Sequence, residues 1–257
     1  MNVSTHTPAS PKRAVILAGG KGSRLYPYTT VFPKPLMPIL EKPILEIVLT
    51  QLKQAGFSQI TLAVGYLAEL IQTYFGDGEK LGLEIDYSRE SEPLGTAGPI
   101  RQVANLDQDF LVMNGDVLCT LNFREMFDFH IQHGGLATIG TYRKAVPITL
   151  GVLELDEHQQ IRDYIEKPTL HYHVSMGIYF FKPQILDYIP PQQRLDLPDL
   201  MKALIVAGQS PYAYLFDDLW LDIGRPEDYA EAQALFSEHQ ERFWNPEHSQ
   251  APKAGGA

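Results

Sequence analysis

The sequence predicts an α/β fold, Rossmann-like in layout: a mostly parallel sheet with helices on both faces and a small antiparallel region in its second half. Three observations predict it. Short apolar runs alternate with helical stripes from Ala14 to Met113. The first run, Ala14-Val15-Ile16-Leu17-Ala18, breaks on Gly19, Gly20 and Gly22, and open α/β sheets take their ligands at such strand ends. Further on, Gly151–Leu155 and Ile161–Ile165 flank a polar turn, which is the pattern of a β-hairpin.

Taken in order, residues 1–11 are polar and read as a flexible tail. After the first strand and its glycines, Pro43 opens a helix carrying Ile44, Ile47, Val48 and Leu52 on one stripe, closed by Gly56. Strands are expected at 59–64, 83–87 and 110–113, with helices at 68–75 and 96–104. A helix at 123–132 ends on Gly134-Gly135, with His130 and His133 on one face, read as solvated residues because no third ligand is near. A strand at 136–142, the hairpin, helices at 183–188 and 198–207, a strand at 212–216 and a helix from Pro226 to Glu238 complete residues 12–238 as one domain. Residues 239–257 turn polar and then rich in Gly, Ala and Pro, and read as a second flexible tail.

Composition narrows the function. The chain has 257 residues, 44% of them apolar, enough for one sizeable core. Lys and Arg number 21 against 31 Asp and Glu, a net charge of −10, which disfavours nucleic acid and anionic membranes as partners. A single cysteine, Cys119, excludes an intramolecular disulfide. No apolar run approaches the roughly 18–20 residues of a membrane span, and the N-terminus lacks a signal-peptide core, so the cytoplasm is the expected location.

The glycine loop carries the chemistry. Glycines let an anion approach the backbone N–H groups, and Lys21, Arg24 and Lys34 add positive charge, Lys34 pinned between Pro33 and Pro35. This is a polyphosphate cradle built from Leu17, Ala18, Gly19, Gly20 and Gly22. It is neither a P-loop, which needs Gly-Lys-Ser/Thr, nor the dinucleotide Gly-x-Gly-x-x-Gly. Asp116, after Asn114-Gly115 at the end of a buried strand, is placed to offer a carboxylate to Mg²⁺. Asp222 alone reads as a turn or capping residue. Thr96 reads as the N-cap of the 96–104 helix.

Leu17-Ala18-Gly19-Gly20-Lys21-Gly22-Ser23-Arg24-Leu25, followed by Phe32-Pro33-Lys34-Pro35-Leu36-Met37-Pro38, resembles the signature of the sugar-phosphate nucleotidylyltransferases, and the resemblance extends from Lys12 to about Leu235. It implies a GT-A-like nucleotidyltransferase fold and the joining of a nucleoside triphosphate to a sugar 1-phosphate with release of pyrophosphate. It implies catalytic roles for Arg24, Lys34 and Asp116, and a Mg²⁺ site shared by Asp116 and Asp222. It makes Glu90, Leu94, Gly95 and Thr96 a base-reading loop, similar to that of mannose-1-phosphate guanylyltransferases. Glu90 stands where thymidylyl-transferring relatives carry glutamine, and a carboxylate suits the adjacent N–H donors of guanine. Gly151, Glu166, Lys167 and Ser175 fall on the sugar side. Leu150 and Ser175 depart from the usual Tyr and Asn, which leaves the sugar open: mannose 1-phosphate or a similar hexose 1-phosphate.

GTP is therefore the favoured nucleotide, with a glucose-1-phosphate uridylyl- or thymidylyltransferase as the alternative. A homo-oligomer is compatible with the family. Two readings of other classes stay open, an NDP-sugar-using glycosyltransferase and a non-catalytic regulatory relative. The first usually carries Asp-x-Asp where this chain has Asn114-Gly115-Asp116, and the second is expected to lose Lys34 or Asp116.

Overall fold

Val15 and Ile16 are both fully buried yet belong to different cores, because successive strand residues face opposite sides of a sheet covered on both. That is why β1 (Arg13–Ala18) is an unbroken apolar run. The computed structural model describes residues 12–90 and 92–245. After β1 come a short ladder of β2 (Pro38–Ile39) with β3 (Lys42–Pro43), α1 (Ile44–Gln54), β4 (Gln59–Val64), α2 (Ala68–Phe75) and β5 (Glu84–Arg89). Next are β6 (Phe110–Asn114), β7 (Val117–Cys119), α3 (Phe123–His133), β8 (Ala137–Pro147), the hairpin β9 (Val152–Leu155) and β10 (Ile161–Ile165), and β11 (Thr169–Phe181). The chain continues through α4 (Leu197–Val206), β12 (Tyr212–Phe216), β13 (Trp220–Asp222), α5 (Pro226–Glu238) and α6 (Gln240–Trp244).

The central sheet has seven strands in the order β12-β8-β11-β6-β1-β4-β5. Its pairs are parallel except where β11 meets β6 and β8. One face packs α1, α2, α3, α5 and α6; the other packs α4 with the segments around Ile100 and Ile185. The carboxyl ends of β1, β4, β5 and β6 gather at one edge, where a parallel sheet places its ligands.

Three expectations are corrected. Residues 96–104 form no α-helix, only a 3-10 turn at Gly98–Gln102 with Pro99 near its start. The N–H groups of Ala97 and Gly98 both donate to Leu195 O, at 2.9 and 3.1 Å, so no free helix terminus faces a ligand there. His130 is not solvated: it is fully buried, with Nδ1 2.8 Å from Thr138 Oγ1, while His133 is exposed and stacks on Phe129. Residues 240–244, expected as part of a tail, form α6. Phe243 on α6 is fully buried, and Gln51 Nε2 on α1 donates to Phe243 O at 2.7 Å and to Cys119 O at 2.9 Å. Residues 1–11 and 246–257 lie outside the described residues.

Candidate active site

Gly22 sets the loop after β1. Its φ of +60° is a left-handed conformation that side chains disfavour. A Cβ there would lie 2.9 Å from Thr29 Cγ2 and 3.3 Å from Lys34 Cβ. Thr29, itself buried, donates its hydroxyl to Gly22 O at 2.8 Å and locks the loop. Lys34 follows on a 3-10 turn between Pro33 and Pro35 and is only 8% exposed. Its ammonium donates to Asp116 Oδ2. The other oxygen, Asp116 Oδ1, is buried without a partner among the described residues.

Asp222 arrives from the other side. β13 pairs with β7, setting Asp222 against Val117, and Ile223 N donates to Asp116 O at 3.3 Å. Burial raises the Asp222 carboxyl above its ordinary range, Asp116 raises it further, and Lys34 and Arg24 pull it down. Arg24 belongs to the same neighbourhood: its Cζ would be 3.5 Å from a Cβ on Gly224, whose N–H donates to Asp228 Oδ2 at 3.1 Å.

Across the cleft stands Glu90, just beyond β5. Burial raises its carboxyl as well. Oε2 accepts the Leu94 N–H at 2.6 Å, and Oε1 would lie 3.3 Å from a Cβ on Gly19. The carboxylate therefore both holds the Leu94 N–H and faces the glycines.

Between these walls lies a cleft of about 730 Å³. Leu17, Ala18, Gly19, Gly20, Gly22, Arg24, Lys34, Glu90, Gly95, Thr96 and Asp116, all expected from the sequence, line it together with Lys21. Leu94 does not; it turns its side chain onto Gly98. Thr96 is tied elsewhere too. Its hydroxyl accepts the Leu197 N–H at the start of α4 at 2.8 Å, while its own N–H donates to Oδ1 of Asp196, the N-cap of that helix, at 3.1 Å. Gly95 is glycine because φ is +80° and a Cβ would lie 2.6 Å from Leu195 O and from Asp196 Oδ1.

The sugar-side residues and Asp222 lie outside the cleft's lining. Glu166 and Lys167 pair at 3.6 Å on an exposed ribbon, and Lys167 holds φ at +46°. Gly151 lies under Tyr164, whose hydroxyl would be 2.3 Å from a Cβ there. Ser175 Oγ lies 2.9 Å from Tyr179 OH. Sequence reasoning missed Gly65, Tyr66, Arg89 and Asn114, which also line the cleft. All four sit at or just past the carboxyl ends of β4, β5 and β6, so the strand-end rule could have found them. Among the described residues no three His, Cys, Asp or Glu side chains converge as a metal cluster; Asp116 and Asp222 make a pair.

A nucleotidyl transferase family model matches residues 13–239. The chain is 39% identical to a UTP–glucose-1-phosphate uridylyltransferase of Synechocystis sp., over 86% of this chain and 62% of that protein. It is 37% identical to the mannose-1-phosphate guanylyltransferase catalytic subunit beta of Drosophila melanogaster, over 87% of this chain and 62% of that protein. It thus spans about three-fifths of the length of these curated relatives. Among solved structures, HddC from Yersinia pseudotuberculosis complexed with GMP-PN superposes with a TM-score of 0.67 at 25% identity, covering 88% of this chain and 99% of that one. The structure of UDP-glucose pyrophosphorylase complexed with UDP-glucose, at 18% identity and TM-score 0.68, covers 89% of this chain and 99% of that one and shares the fold. With the family model covering nearly the whole described chain, the protein belongs to the nucleotidyl transferase family, the sugar-phosphate nucleotidylyltransferases whose glycine-rich signature it carries.

Proposed function

We propose that this chain joins a nucleoside triphosphate, with GTP preferred, to a hexose 1-phosphate such as mannose 1-phosphate, giving an NDP-sugar and pyrophosphate. The observation that carries the reading is the grouping of Lys34, Arg24, Asp116 and Asp222 beside the glycine loop, with Glu90 on the opposite wall. Both substrates are anions, so catalysis rests on positioning and charge neutralisation. Backbone N–H groups at Gly19–Gly22 and the Arg24 guanidinium receive the triphosphate. Lys34 holds the phosphate undergoing attack. Lys167, on the exposed ribbon, meets the sugar phosphate, and Glu166 takes sugar hydroxyls. The sugar phosphate oxygen attacks the α-phosphorus and pyrophosphate departs in line. No general base is needed, since a phosphate monoester is already ionised near neutral pH.

Magnesium fits the acidic end. Asp116 Oδ1 is buried and unpartnered, and Asp222 is made less acidic by burial and then by Asp116, costs that a divalent cation would relieve. Asp116 and Asp222 would hold it, and when bound it polarises phosphoryl oxygens.

Preference for guanine is supported by Glu90. With Oε2 engaged by Leu94, Oε1 remains as an acceptor for an N–H on the base edge, and the O4 of uracil or thymine would face a negative charge. The rival reading is uridylyl transfer, favoured by the similarity to the Synechocystis relative. Initial rates with GTP, UTP, dTTP, ATP and CTP, each against mannose 1-phosphate and glucose 1-phosphate, separate them. The proposal expects GTP to lead; a tenfold preference for UTP or dTTP would overturn the choice of base.

A further inference from the structure

The hairpin β9–β10 is a two-stranded sheet of its own, paired with no other strand among the described residues. It grows from the tip of the β8–β11 ribbon, where Pro147 stands opposite Thr169 and the Ile148 N–H donates to Pro168 O at 2.9 Å. Within the hairpin Leu155 stands opposite Ile161, and Leu153 opposite Tyr164. Ile161 and Tyr164 are three residues apart, so a regular strand would turn them to opposite faces. The register slips between Ile161 and Asp163, and the extra residue, Arg162, brings both onto the face of Leu153 and Leu155. These four large apolar side chains are 44–62% exposed. The opposite face sets Glu154 against Asp163, a like-charge pair that needs water to screen it.

A bulge that restores an apolar face is the pattern of a strand pair with one side buried, because burial is what specifies register. A lone two-stranded hairpin is marginally stable in water without such cover. The exposed apolar surface continues past the hairpin. Leu150 is bare at its foot, and on the ribbon Val146 stands opposite Leu170, with Tyr172 two residues on and so on the same face. Together these side chains expose on the order of 800 Å², the share that one partner gives to an interface of standard size. It is more than the few hundred Å² that a monomer usually leaves bare. The rim carries both signs: Lys144, Arg162 and Lys167 with Glu154, Glu157 and Glu166, all exposed. A two-fold axis can set such a mixed rim against itself with opposite charges facing, which suits a second copy better than a partner of one dominant sign.

We infer that this face is the contact between two copies of the chain in a two-fold dimer. The contact reaches the sugar side of the site: Tyr164 covers Gly151, and Ile165 leads directly into Glu166 and Lys167. The dimer therefore steadies those residues, a consequence that rests on the proposed nucleotidyl transfer. Sedimentation velocity of the full chain, from micromolar to hundreds of micromolar, tests the contact with no substrate present. Wild type is compared with the double variant Leu155→Lys, Ile161→Glu, whose new charges lie opposite each other and keep the hairpin paired. Should circular dichroism show that variant misfolded, Leu155→Ser takes its place. Val206→Lys, at an exposed apolar residue ending α4, is the control. Wild type and Val206→Lys are expected to sediment as dimers, and the hairpin variant to self-associate at least roughly tenfold more weakly. A wild type that is monomeric throughout overturns the inference and leaves the face to a different protein. A dimer that survives the hairpin variant overturns it too, since the contact then lies elsewhere. In the hairpin variant the KM for the sugar phosphate should rise several-fold while the nucleotide KM holds; an unchanged value removes the link to the site and leaves the dimer standing. If wild type releases no pyrophosphate with any hexose 1-phosphate, the proposed function fails and the sedimentation result is untouched.

Discussion

Lys34 donates to Asp116 across 82 residues of sequence, and the pair sits where the glycine loop and the end of β6 converge. Side-chain exposure is 10% for Lys34 and 24% for Asp116. In such a half-dry setting, removing one partner leaves the other charge stranded. Lys34→Ala is expected to lower stability by about 1–3 kcal/mol, more than Asp116→Asn, whose amide oxygen can still accept from the Lys34 ammonium and which leaves Asp222 to face that charge. Urea unfolding midpoints measure this. Both variants should also lose roughly a hundredfold or more in turnover. Magnesium should raise the melting temperature of wild type and not that of Asp116→Asn. Equal stability of the two variants would mean that the ion pair is not buried in solution.

Gly22→Ala tests the loop. The added methyl group meets Thr29 and Lys34 on a backbone already left-handed, at a cost of about 1–2 kcal/mol. Thr29 is the neighbour that must move first, and with it the hydroxyl that locks the loop beside Lys34, so the nucleotide KM should rise several-fold while the sugar phosphate KM holds. Kinetics with each substrate varied in turn decide it; a change confined to the sugar phosphate would contradict the placement of the loop.

Much of this was legible in the sequence, for identifiable reasons. α1 and α2, whose apolar stripes are strong, separate β1, β4 and β5; Gly19, Gly20, Gly22 and Asp116 follow strand ends, where a parallel sheet exposes them, and Pro33 and Pro35 single out Lys34. What was not legible depends on partners distant in sequence. Thr96 looks like the N-cap of a local helix, but its hydroxyl instead accepts the Leu197 N–H, 101 residues on, at the start of α4, whose N-cap is Asp196. His130 looked solvated because the pattern of α3 cannot show that Thr138 closes over it. Tail and helix also look alike at 240–244, where one phenylalanine and the Gln51 amide decide the matter. Of the long β8–β11 ribbon the sequence pattern shows only the strand at 136–142, since the outer half, Thr169 to Tyr172 against Lys144 to Pro147, is exposed and carries no burial pattern.

Glu90→Gln isolates base recognition. The glutamine carbonyl still accepts the Leu94 N–H, so the loop should keep its shape. The side chain loses its charge, and the margin of GTP over UTP and dTTP should shrink by roughly tenfold, the worth of one charge-assisted hydrogen bond. An unchanged nucleotide profile would show that Glu90 does not touch the base.

His130 predicts an acid limb in stability. Burial, and secondarily the Lys182 charge, pull its pKa down from 6.5 to about 4. Between those values the unfolded chain binds the proton and the folded one does not, so stability is full above about pH 6.5 and falls as pH drops toward 4. The loss is at most on the order of 3 kcal/mol. Asp109, 3.6 Å from Nε2 and raised by its own burial, works in the opposite direction on this limb. His130→Gln should flatten the dependence in urea unfolding from pH 4.5 to 7; a limb unchanged in that variant would assign it to other groups.

The central claim is tested most directly by identifying the products. The protein is incubated with GTP, mannose 1-phosphate and MgCl₂, and the mixture is followed by ³¹P NMR. The account predicts that a nucleoside diphosphate sugar and inorganic pyrophosphate appear in equal amounts, that neither forms when a substrate is left out or EDTA is added, and that both disappear in Lys34→Ala. Nucleoside diphosphate with inorganic phosphate, or no turnover of any nucleoside triphosphate with any hexose 1-phosphate, would contradict it.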